Sequence, residues 1–156
     1  MTPTTAERVP ANTAGDINRR IARDAEVRLA YYRDHPDEIA DRIRELDLEW
    51  DVDRVLEANA ATLAFAGVAF GAMGSRAWLV LPALVTSFLL QHAVQGWCPP
   101  LPVLRRIGFR TAEEISRERY ALKALRGDFD DLRQAQDRLA AVLQAVGIGQ
   151  RHGSTP

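Results

Sequence analysis

The sequence predicts an all-α fold: a membrane helical hairpin of two transmembrane helices, flanked by amphipathic cytoplasmic helices. Two long stretches, 58–75 and 77–104, contain no Asp, Glu, Lys or Arg and are separated only by Arg76. A soluble helix has to present a polar face to water, whereas a helix that crosses the hydrocarbon of a bilayer needs about 20 apolar residues. Outside these stretches, apolar residues recur at helical spacings of three and four in an otherwise polar chain.

The composition argues against several classes of protein. The chain has 156 residues with 20 basic and 21 acidic side chains, which is not the basic excess of a nucleic-acid-binding protein. A single cysteine, Cys98, cannot form an internal disulfide. The N-terminus has no apolar core, so we expect no signal peptide. No spacing of His, Cys and Asp suits zinc, and Gly147-Ile148-Gly149 lacks the context of a nucleotide loop. We therefore expect no metal and no cofactor.

The region before the hairpin divides into two parts. Residues 1–15 show no periodicity, which predicts a disordered N-terminus. Residues 16–54 are predicted to form cytoplasmic amphipathic helices. The first begins with Asp16 as its N-cap and ends before Pro36. The second follows Pro36, and Asp51 or Asp53 then caps the helix that enters the membrane. The second helix carries an apolar stripe made by Ile39, Ile43, Leu46 and Trp50.

Residues 55–109 form the predicted hairpin. Its first helix carries a ridge of small residues, which are Ala60, Ala64, Gly67 and Gly71. Lipid provides no hydrophobic driving force for helix pairing, so small residues that allow close backbone approach favour it. The ridge is predicted to pack inside one hairpin, between two copies, or in both ways. The second helix is bulkier, has Pro82 in about its first turn and ends at the run Pro99-Pro100-Leu101-Pro102.

The arginines predict the orientation of the hairpin. Positive charge is retained on the cytoplasmic side of a membrane. The turn holds only Arg76, whereas several arginines precede the first span and follow the second, namely Arg42, Arg44, Arg54, Arg105, Arg106, Arg110 and Arg117. Both termini are therefore predicted to be cytoplasmic.

A polar patch is predicted near the cytoplasmic end of the hairpin. If the chain turns near Ser75, Asn59 lies opposite His92, and Gln95 and Cys98 follow on the second helix. Polar side chains at that depth are costly unless they are paired. Asn59, His92, Gln95 and Cys98 are thus predicted to form a polar or thiol site. It would be either a clasp that fixes the register of the two helices or a site for a proton, a small anion or a thiol substrate.

The state of Cys98 depends on where the second helix ends. At a helix C-terminus the helix dipole opposes a thiolate. As the N-cap of a short helix that starts at Pro99, Cys98 would be favoured as a thiolate by the helix amides. The sequence allows both arrangements, and a lone buried cysteine also packs as a small inert hydrophobe.

The run Gly96-Trp97-Cys98-Pro99 at the end of the second helix and the basic exit 104–108 resemble the YgaP-like transmembrane domain. This is a family of bacterial inner-membrane hairpins of largely unknown function, and the resemblance covers residues 50–109. It implies an inner-membrane hairpin that dimerises. Some members carry a rhodanese domain, which this chain lacks. Cys98 matches the hairpin cysteine and not the rhodanese nucleophile, so the resemblance does not imply sulfur transfer.

Residues 111–146 are predicted to form one cytoplasmic helix with a heptad pattern. Thr111 and Glu114 have the spacing of a capping box. Apolar residues then alternate at spacings of three and four, with Gln136 as a polar interruption. They are Leu122, Leu125, Phe129, Leu132, Leu139 and Leu143. This seam would pair with a second copy or pack on the N-terminal helices. Residues 147–156 are predicted to be disordered.

Together these patterns predict a non-enzymatic inner-membrane protein that self-associates through the small-residue ridge and the heptads. The expected partners are the lipid bilayer and a second copy of the chain, and no small-molecule ligand can be named. Three alternatives stay open. They are a thiol- or sulfur-handling membrane protein that uses Cys98 and His92, a minimal oligomeric transporter of a small anion, and a soluble helical bundle that buries both apolar helices.

Overall fold

A computed structural model describes residues 3–133 and 137–146, and within them the chain is entirely helical, without β-strands. The α-helices are α1 (Arg8–Ala11), α2 (Gly15–Asp34), α3 (Ile39–Leu48), α4 (Val52–Met73), α5 (Val80–Gln95), α6 (Leu101–Ile107), α7 (Ala112–Arg126) and α8 (Arg138–Val146). Short 3₁₀ turns occupy Pro36–Glu38, Arg76–Leu79 and Asp130–Arg133. We call α4 and α5 the hairpin, and α1–α3 with α6–α8 the head.

The two helices of the hairpin pack against each other and have well-defined ends. Asp51 is the N-cap of α4, as predicted, because its Oδ1 accepts a hydrogen bond from the Arg54 amide at 2.7 Å. Gly96 ends α5 with a positive φ of 73°. A Cβ at Gly96 would also lie 2.8 Å from the backbone of Arg8, so this position requires glycine for both conformation and space.

The outer surface of the hairpin is apolar and uncovered. Both helical segments, ending at Met73 and Gln95, are long and apolar enough to cross a membrane. Only 22% of the most apolar window of the first segment and 6% of that of the second is buried. The exposed side chains include Leu63, Phe65, Val68, Phe70, Met73, Trp78, Leu79, Val80, Leu84, Phe88, Leu90 and Val94. The described part of the head does not cover these side chains. In a soluble bundle, by contrast, the apolar faces of the core helices are covered.

The glycines of the predicted ridge pack inside the hairpin. A Cβ added to Gly67 would lie 2.4 Å from Cδ of Pro82, and one added to Gly71 would lie 2.6 Å from Cδ2 of Leu79. Ala60 and Ala64 are half-buried on the same helix. Of the two predicted uses of the ridge, the structure contains packing within one hairpin. In the single chain, Pro82 and Leu81 of α5 cover Gly67, and Leu79 of the 3₁₀ turn covers Gly71, while contact of the ridge with a second copy stays a prediction.

Two apolar clusters hold the head together and attach it to the hairpin. In the first, Ile39, Ile43 and Leu46 of α3 pack against Ile115 and Leu122 of α7. This confirms the α3 stripe except for Trp50, which is exposed and has its ring under the Arg54 guanidinium, 4.3 Å from the centroid. The second cluster joins α1, α4 and α6 through Val9, Val52, Leu56, Cys98 and Leu101.

The predicted disorder of residues 1–15 is wrong for residues 3–15. Val9 of α1 is buried in the second cluster. Asn12 Nδ2 donates to the carbonyl oxygen of Gln95 at 3.0 Å, and the Arg8 guanidinium donates to the carbonyl of Ala93. This segment therefore caps the last turn of α5, where helix carbonyls lack partners within the helix. The helix α2 starts at Gly15 with Ala14 as its N-cap, so Asp16 lies in the first turn and not at the cap.

The predicted continuous helix over 111–146 is also wrong. Its capping box is confirmed, since Thr111 and Glu114 each accept a hydrogen bond from the other's backbone amide. The helix α7 nevertheless ends at Arg126, because Gly127 adopts a positive φ of 88° and the Asp128 amide donates a hydrogen bond to the Lys123 carbonyl. The Lys123 ammonium donates to the carbonyl of Ala145 at 3.1 Å, which brings α8 back beside α7.

This break divides the predicted heptad seam. Leu122 is fully buried against α3 of its own chain, so it cannot contact a second copy. Leu125 and Leu139 are exposed, whereas Phe129, Leu132 and Leu143 are half-buried. Five of the six residues thus lie on three separate elements, and Phe129 lies in the connection that follows α7. Gln136 and the predicted disordered tail 147–156 lie outside the described residues.

Candidate functional site

A cavity of about 450 Å³ lies where the hairpin meets α6. Most of its walls are apolar, and they are formed by Leu56, Ala60, Leu63, Val85, Phe88, Leu89, Pro99, Pro100 and Leu104. Three polar or thiol-bearing residues complete the lining, which are Asn59, His92 and Cys98. Three of the four residues predicted to form a polar or thiol site are therefore brought together, at the end of the hairpin next to the head.

The strongest polar interaction at this site joins His92 of α5 to Asp53 of α4. His92 is buried, and its Nε2 lies 2.7 Å from Oδ1 of Asp53. An ionised carboxylate only accepts hydrogen bonds, so opposite such a group Nε2 is the donor of this pair. Asp53 lies in the first turn of α4 and His92 in the last turn of α5, the ends at which helix dipoles favour a negative and a positive group respectively. The pair links the two helices where they enter the head.

Asn59 and Gln95 are placed differently from the prediction. Nδ2 of Asn59 donates to the Val55 carbonyl of its own helix at 2.8 Å, so Asn59 lines the cavity without bonding to His92. Gln95 does not line the cavity, and its carbonyl oxygen accepts a hydrogen bond from Asn12. The predicted cluster of Asn59, His92 and Gln95 is corrected: the partner of His92 is Asp53.

The sequence contained a signal for Asp53. Helical residues seven positions apart lie on nearly the same face, and Asp53, Ala60 and Gly67 are spaced by seven. The small-residue ridge therefore continues back to Asp53 on the face that meets α5. The predicted site includes only residues from the uncharged run onward, which begins at Ala58, so the prediction for Asp53 is limited to a possible N-cap.

Cys98 belongs to the apolar core and not to either predicted helix end. The helix α5 stops at Gln95 and α6 begins at Leu101 with Pro100 as its N-cap, so Cys98 lies in the connection. Burial raises the pKa of the Cys98 thiol, and this effect outweighs the hydrogen bond from Leu101, which lowers it. Cys98 is thus a neutral thiol packed among Val9, Val52 and Leu101. A neutral buried thiol is a poor nucleophile.

The head contains two buried ion-pair groups that sequence reasoning missed. Glu118 is surrounded by Arg28, Arg42 and Arg110, with Arg28 Nη2 at 2.7 Å from Oε2 and Arg42 Nη2 at 3.0 Å from Oε1. Burial raises the pKa of Glu118, but the hydrogen bond from Arg28 and the charge of Arg110 outweigh it and lower the pKa to about 2. Arg110 also binds Glu49, at 2.6 Å between Nη2 and Oε2.

The second group centres on Arg105, which is completely buried. Its guanidinium binds both carboxylate oxygens of Glu114 at 2.7 Å and donates to Oδ1 of Asn18 and the carbonyl of Phe109. A bidentate pair of this kind fixes geometry as well as charge. From the sequence, Arg105 and Arg110 are predicted only to orient the hairpin, because nothing near them in the chain indicates which distant carboxylates they bind.

Comparisons with known protein families, with curated proteins and with solved structures found no match to this chain. The resemblance of residues 50–109 to the YgaP-like transmembrane domain therefore stays a prediction. Among the residues that the structure describes, no group of three or more His, Cys, Asp or Glu side chains could hold a metal ion. The geometry of the cavity, of the His92–Asp53 pair and of the uncovered hairpin is what bears on function.

Proposed function

We propose that this chain is a non-enzymatic membrane protein, whose hairpin is inserted in the bacterial inner membrane and whose head lies on the cytoplasmic face. One observation carries the proposal: large apolar side chains on the outer faces of α4 and α5 are exposed, from Leu63 to Met73 in α4 and from Val80 to Val94 in α5. Contiguous apolar surface of this extent on a soluble monomer would be an aggregation site, whereas lipid solvates it. The backbone polar groups of such a segment are satisfied inside the helices, as a bilayer requires.

The dimensions of the hairpin support the same proposal. The uncharged part of α4, residues 58–73, extends about 24 Å at 1.5 Å per residue, which approaches the hydrocarbon thickness of about 30 Å. Arg76 lies at the tip, and Arg54 lies at the other end beside the Trp50 ring. Arginine and tryptophan at these positions suit the two interfaces, where charged heads reach water and indole rings lie among headgroups.

The orientation follows from the distribution of arginines. Several of them are paired with acids in the head, Arg42 and Arg110 with Glu118 and Arg105 with Glu114. Acidic residues contribute little to the positive-inside rule, which counts Lys and Arg in short segments near the spans. The head would therefore remain on the cytoplasmic side, with Arg76 on the opposite side.

The contents of the cavity favour a structural role over catalysis or transport. Cys98 is a buried neutral thiol, and His92 is engaged by Asp53. Apart from Asn59, which bonds to its own helix, the remaining walls of the cavity are apolar, which does not suit a small anion. We propose that the His92–Asp53 pair is the clasp that holds the register of the two helices. Self-association stays a prediction, and Gly67 and Leu122 are already buried within one chain.

Membrane fractionation tests the proposal directly. The full chain should sediment with membranes and stay there in alkaline carbonate, which releases peripheral proteins. Purified protein should need an amphiphile to remain monodisperse. Release by carbonate, or a monodisperse protein in plain buffer, would contradict membrane insertion and would revive the soluble-bundle alternative.

Labelling with a membrane-impermeant thiol reagent tests the orientation. Cys98 is first replaced by Ala, and a single cysteine is then introduced at Ser75 in the turn or at the exposed Glu113 in the head. In intact cells whose outer membrane has been made permeable, Ser75→Cys should label and Glu113→Cys should label only after lysis. The reverse pattern would place the head outside the cell.

A further inference from the structure

A cleft rich in arginine lies in the head, with a volume of about 430 Å³. Five arginines line it, and we call it the arginine cleft: Arg20, Arg28, Arg42, Arg106 and Arg110. Its other lining residues are Ile21, Asp24, Glu49, Ile107 and Gly108. Neither the predicted site at the base of the hairpin nor the proposed anchoring role accounts for this concentration of guanidinium groups.

The arginines of the cleft fall into two groups. The three deeper ones, Arg28, Arg42 and Arg110, bind Glu118, and Arg110 also binds Glu49. Their positions are therefore fixed, and their charge is largely compensated. Arg20 and Arg106 are exposed and form no ion pair within the described ranges. Arg20 Nη2 donates to the carbonyl oxygen of Arg106 at 2.6 Å, which holds its side chain over the end of α6.

The charge of the cleft is positive. Its five arginines face the carboxylates of Asp24, Glu49 and Glu118, and Glu45 also pairs with Arg42, so one positive charge is in excess. Asp24 forms no ion pair in the described part of the chain and partly offsets the exposed arginines. Guanidinium groups at fixed positions match the geometry of a phosphate group, to which arginine donates two parallel hydrogen bonds.

The edge of the head that contains the cleft adjoins the hairpin. The segment 48–50 immediately precedes α4, and α6 follows α5 after a short connection. Both present exposed apolar side chains. Leu48 is 77% exposed, and Trp50, two residues later, is exposed as well. In α6, Ile107 is 70% exposed and Val103 is 57% exposed. Exposed apolar and aromatic side chains next to a membrane hairpin are suited to the headgroup region of a bilayer.

We propose that the arginine cleft binds the phosphate of an anionic phospholipid headgroup, with Arg20 and Arg106 as the principal donors. The inference rests on the proposed membrane location of the hairpin. The deeper arginines, positioned by Glu118, add positive potential behind the phosphate, and Ile107 at the rim lies against the lipid. A basic pocket next to a membrane span on the cytoplasmic side has the charge and position that such headgroups require.

The test measures lipid binding to the purified full chain in a neutral detergent, by native mass spectrometry at fixed low salt. Phosphatidylglycerol is the anionic probe, phosphatidylcholine the zwitterionic one, and inorganic phosphate the free anion. Wild-type protein should bind phosphatidylglycerol about tenfold more tightly than phosphatidylcholine. The double variant Arg20→Gln, Arg106→Gln should lose this preference, because it removes both exposed donors.

A matched control removes two positive charges as well, but both from α2 and outside the cleft. The double variant Arg19→Gln, Arg23→Gln should change the preference less than twofold, since these exposed residues do not line the cleft. Asp24→Asn should act in the opposite direction and tighten binding by a few fold. This variant removes the negative charge of Asp24 from the cleft. Unfolding would weaken binding, so tighter binding cannot be attributed to unfolding.

Several results would overturn the inference. Equal losses in the two double variants would mean that diffuse charge attracts the lipid. Displacement of the lipid by equimolar inorganic phosphate would identify a free anion as the ligand, and equal binding of both lipids would show that the cleft has no headgroup preference. Carbonate extraction of the same proteins separates the two proposals. Protein that stays in the membrane without a lipid preference contradicts only the cleft, whereas release of wild-type protein contradicts the anchor.

Discussion

Gly67 of α4 lies directly against Pro82 of α5, so closely that a Cβ on Gly67 would be 2.4 Å from Cδ of the proline ring. Pro82 is in the first turn of α5, where its missing amide costs little. The smallest residue of one helix therefore faces the most rigid residue of the other, close to the turn. This contact allows the two backbones to approach without a hydrophobic driving force between them.

Enlarging Gly67 should open the hairpin. Gly67→Leu forces a side chain into the volume that Pro82 and Leu81 occupy, and overpacking of this kind costs about 1 to 3 kcal/mol. The midpoint of thermal unfolding in detergent, followed by circular dichroism, should fall. Ala61→Leu is the control, because Ala61 is exposed on the same helix and its enlargement meets lipid. Equal midpoints for the two variants would contradict close packing at Gly67.

The same experiment examines self-association. If Gly67 packs only inside its own hairpin, the mass of the detergent-solubilised protein should be the same for Gly67→Leu and for wild-type protein. A change from a larger complex to a monomer would show that the ridge contacts a second copy, contrary to its placement here.

Local chemistry made much of this fold predictable. Asp51 and Thr111 are identifiable as N-caps because their side chains bond backbone groups only three residues away. The apolar stripe of α3 was predictable because its residues recur at helical spacings of three and four. The prediction of one continuous helix over 111–146 missed the end of α7, because the heptad spacing continues past Gly127, whereas in the structure Gly127 adopts the positive φ that ends the helix.

Long-range pairing accounts for the rest. The carboxylate of Glu118 meets Arg28 and Arg42, which are 90 and 76 residues away in the chain. No spacing in the sequence distinguishes these arginines from their exposed neighbours. Similarly, the ordered α1 depends on carbonyls at the end of α5, and its polar composition alone resembles that of a disordered segment.

Removing the charge of Glu118 should destabilise the head severely. Glu118→Gln leaves Arg28, Arg42 and Arg110 without their shared carboxylate, and loss of one partner of a buried ion pair costs about 3 to 5 kcal/mol. The unfolding midpoint should fall by about 10 °C or more. Glu113→Gln, one turn earlier on the same helix, removes only an exposed pair with Arg117 and should shift it little. Similar shifts for both would mean that Glu118 is not the centre of the group.

Acid should weaken the head through the same carboxylate. The pKa of Glu118 is about 2 in the folded protein, compared with an ordinary value of 4.5. A lowered pKa stabilises the folded state above the unfolded pKa, and this stabilisation is lost as pH falls from about 5 to about 2. The difference amounts to about 3 kcal/mol. Wild-type stability should therefore decline over this range more steeply than that of Glu118→Gln, with the two curves converging near pH 2. Parallel curves would assign the acid sensitivity to other groups.

Cys98 should react slowly with thiol reagents in the folded protein. Its burial raises the pKa of the thiol, so both access and thiolate fraction are low at neutral pH. Labelling by a maleimide at pH 7 should be at least about a hundredfold slower than for Glu113→Cys in a Cys98→Ala background, and denaturant should abolish the difference. Rapid labelling without denaturant would contradict the buried placement and would favour the thiol-handling alternative.

The pairing of His92 with Asp53 should be measurable as a coupling between the two ends of the hairpin. His92→Ala and Asp53→Ala each remove one partner of the 2.7 Å hydrogen bond, so the double variant should cost less than the sum of the two single variants by about 1 kcal/mol. Unfolding in detergent gives the free energies of unfolding of the wild-type protein, the two single variants and the double variant. Glu57→Ala is the matched control, because Glu57 is an exposed acid one turn further along α4 with no recorded bond to His92 in the described ranges. Its cycle with His92→Ala should give no coupling. A coupling that appears with Glu57, or is absent with Asp53, would mean that general electrostatics and not a specific clasp holds the register of α4 and α5.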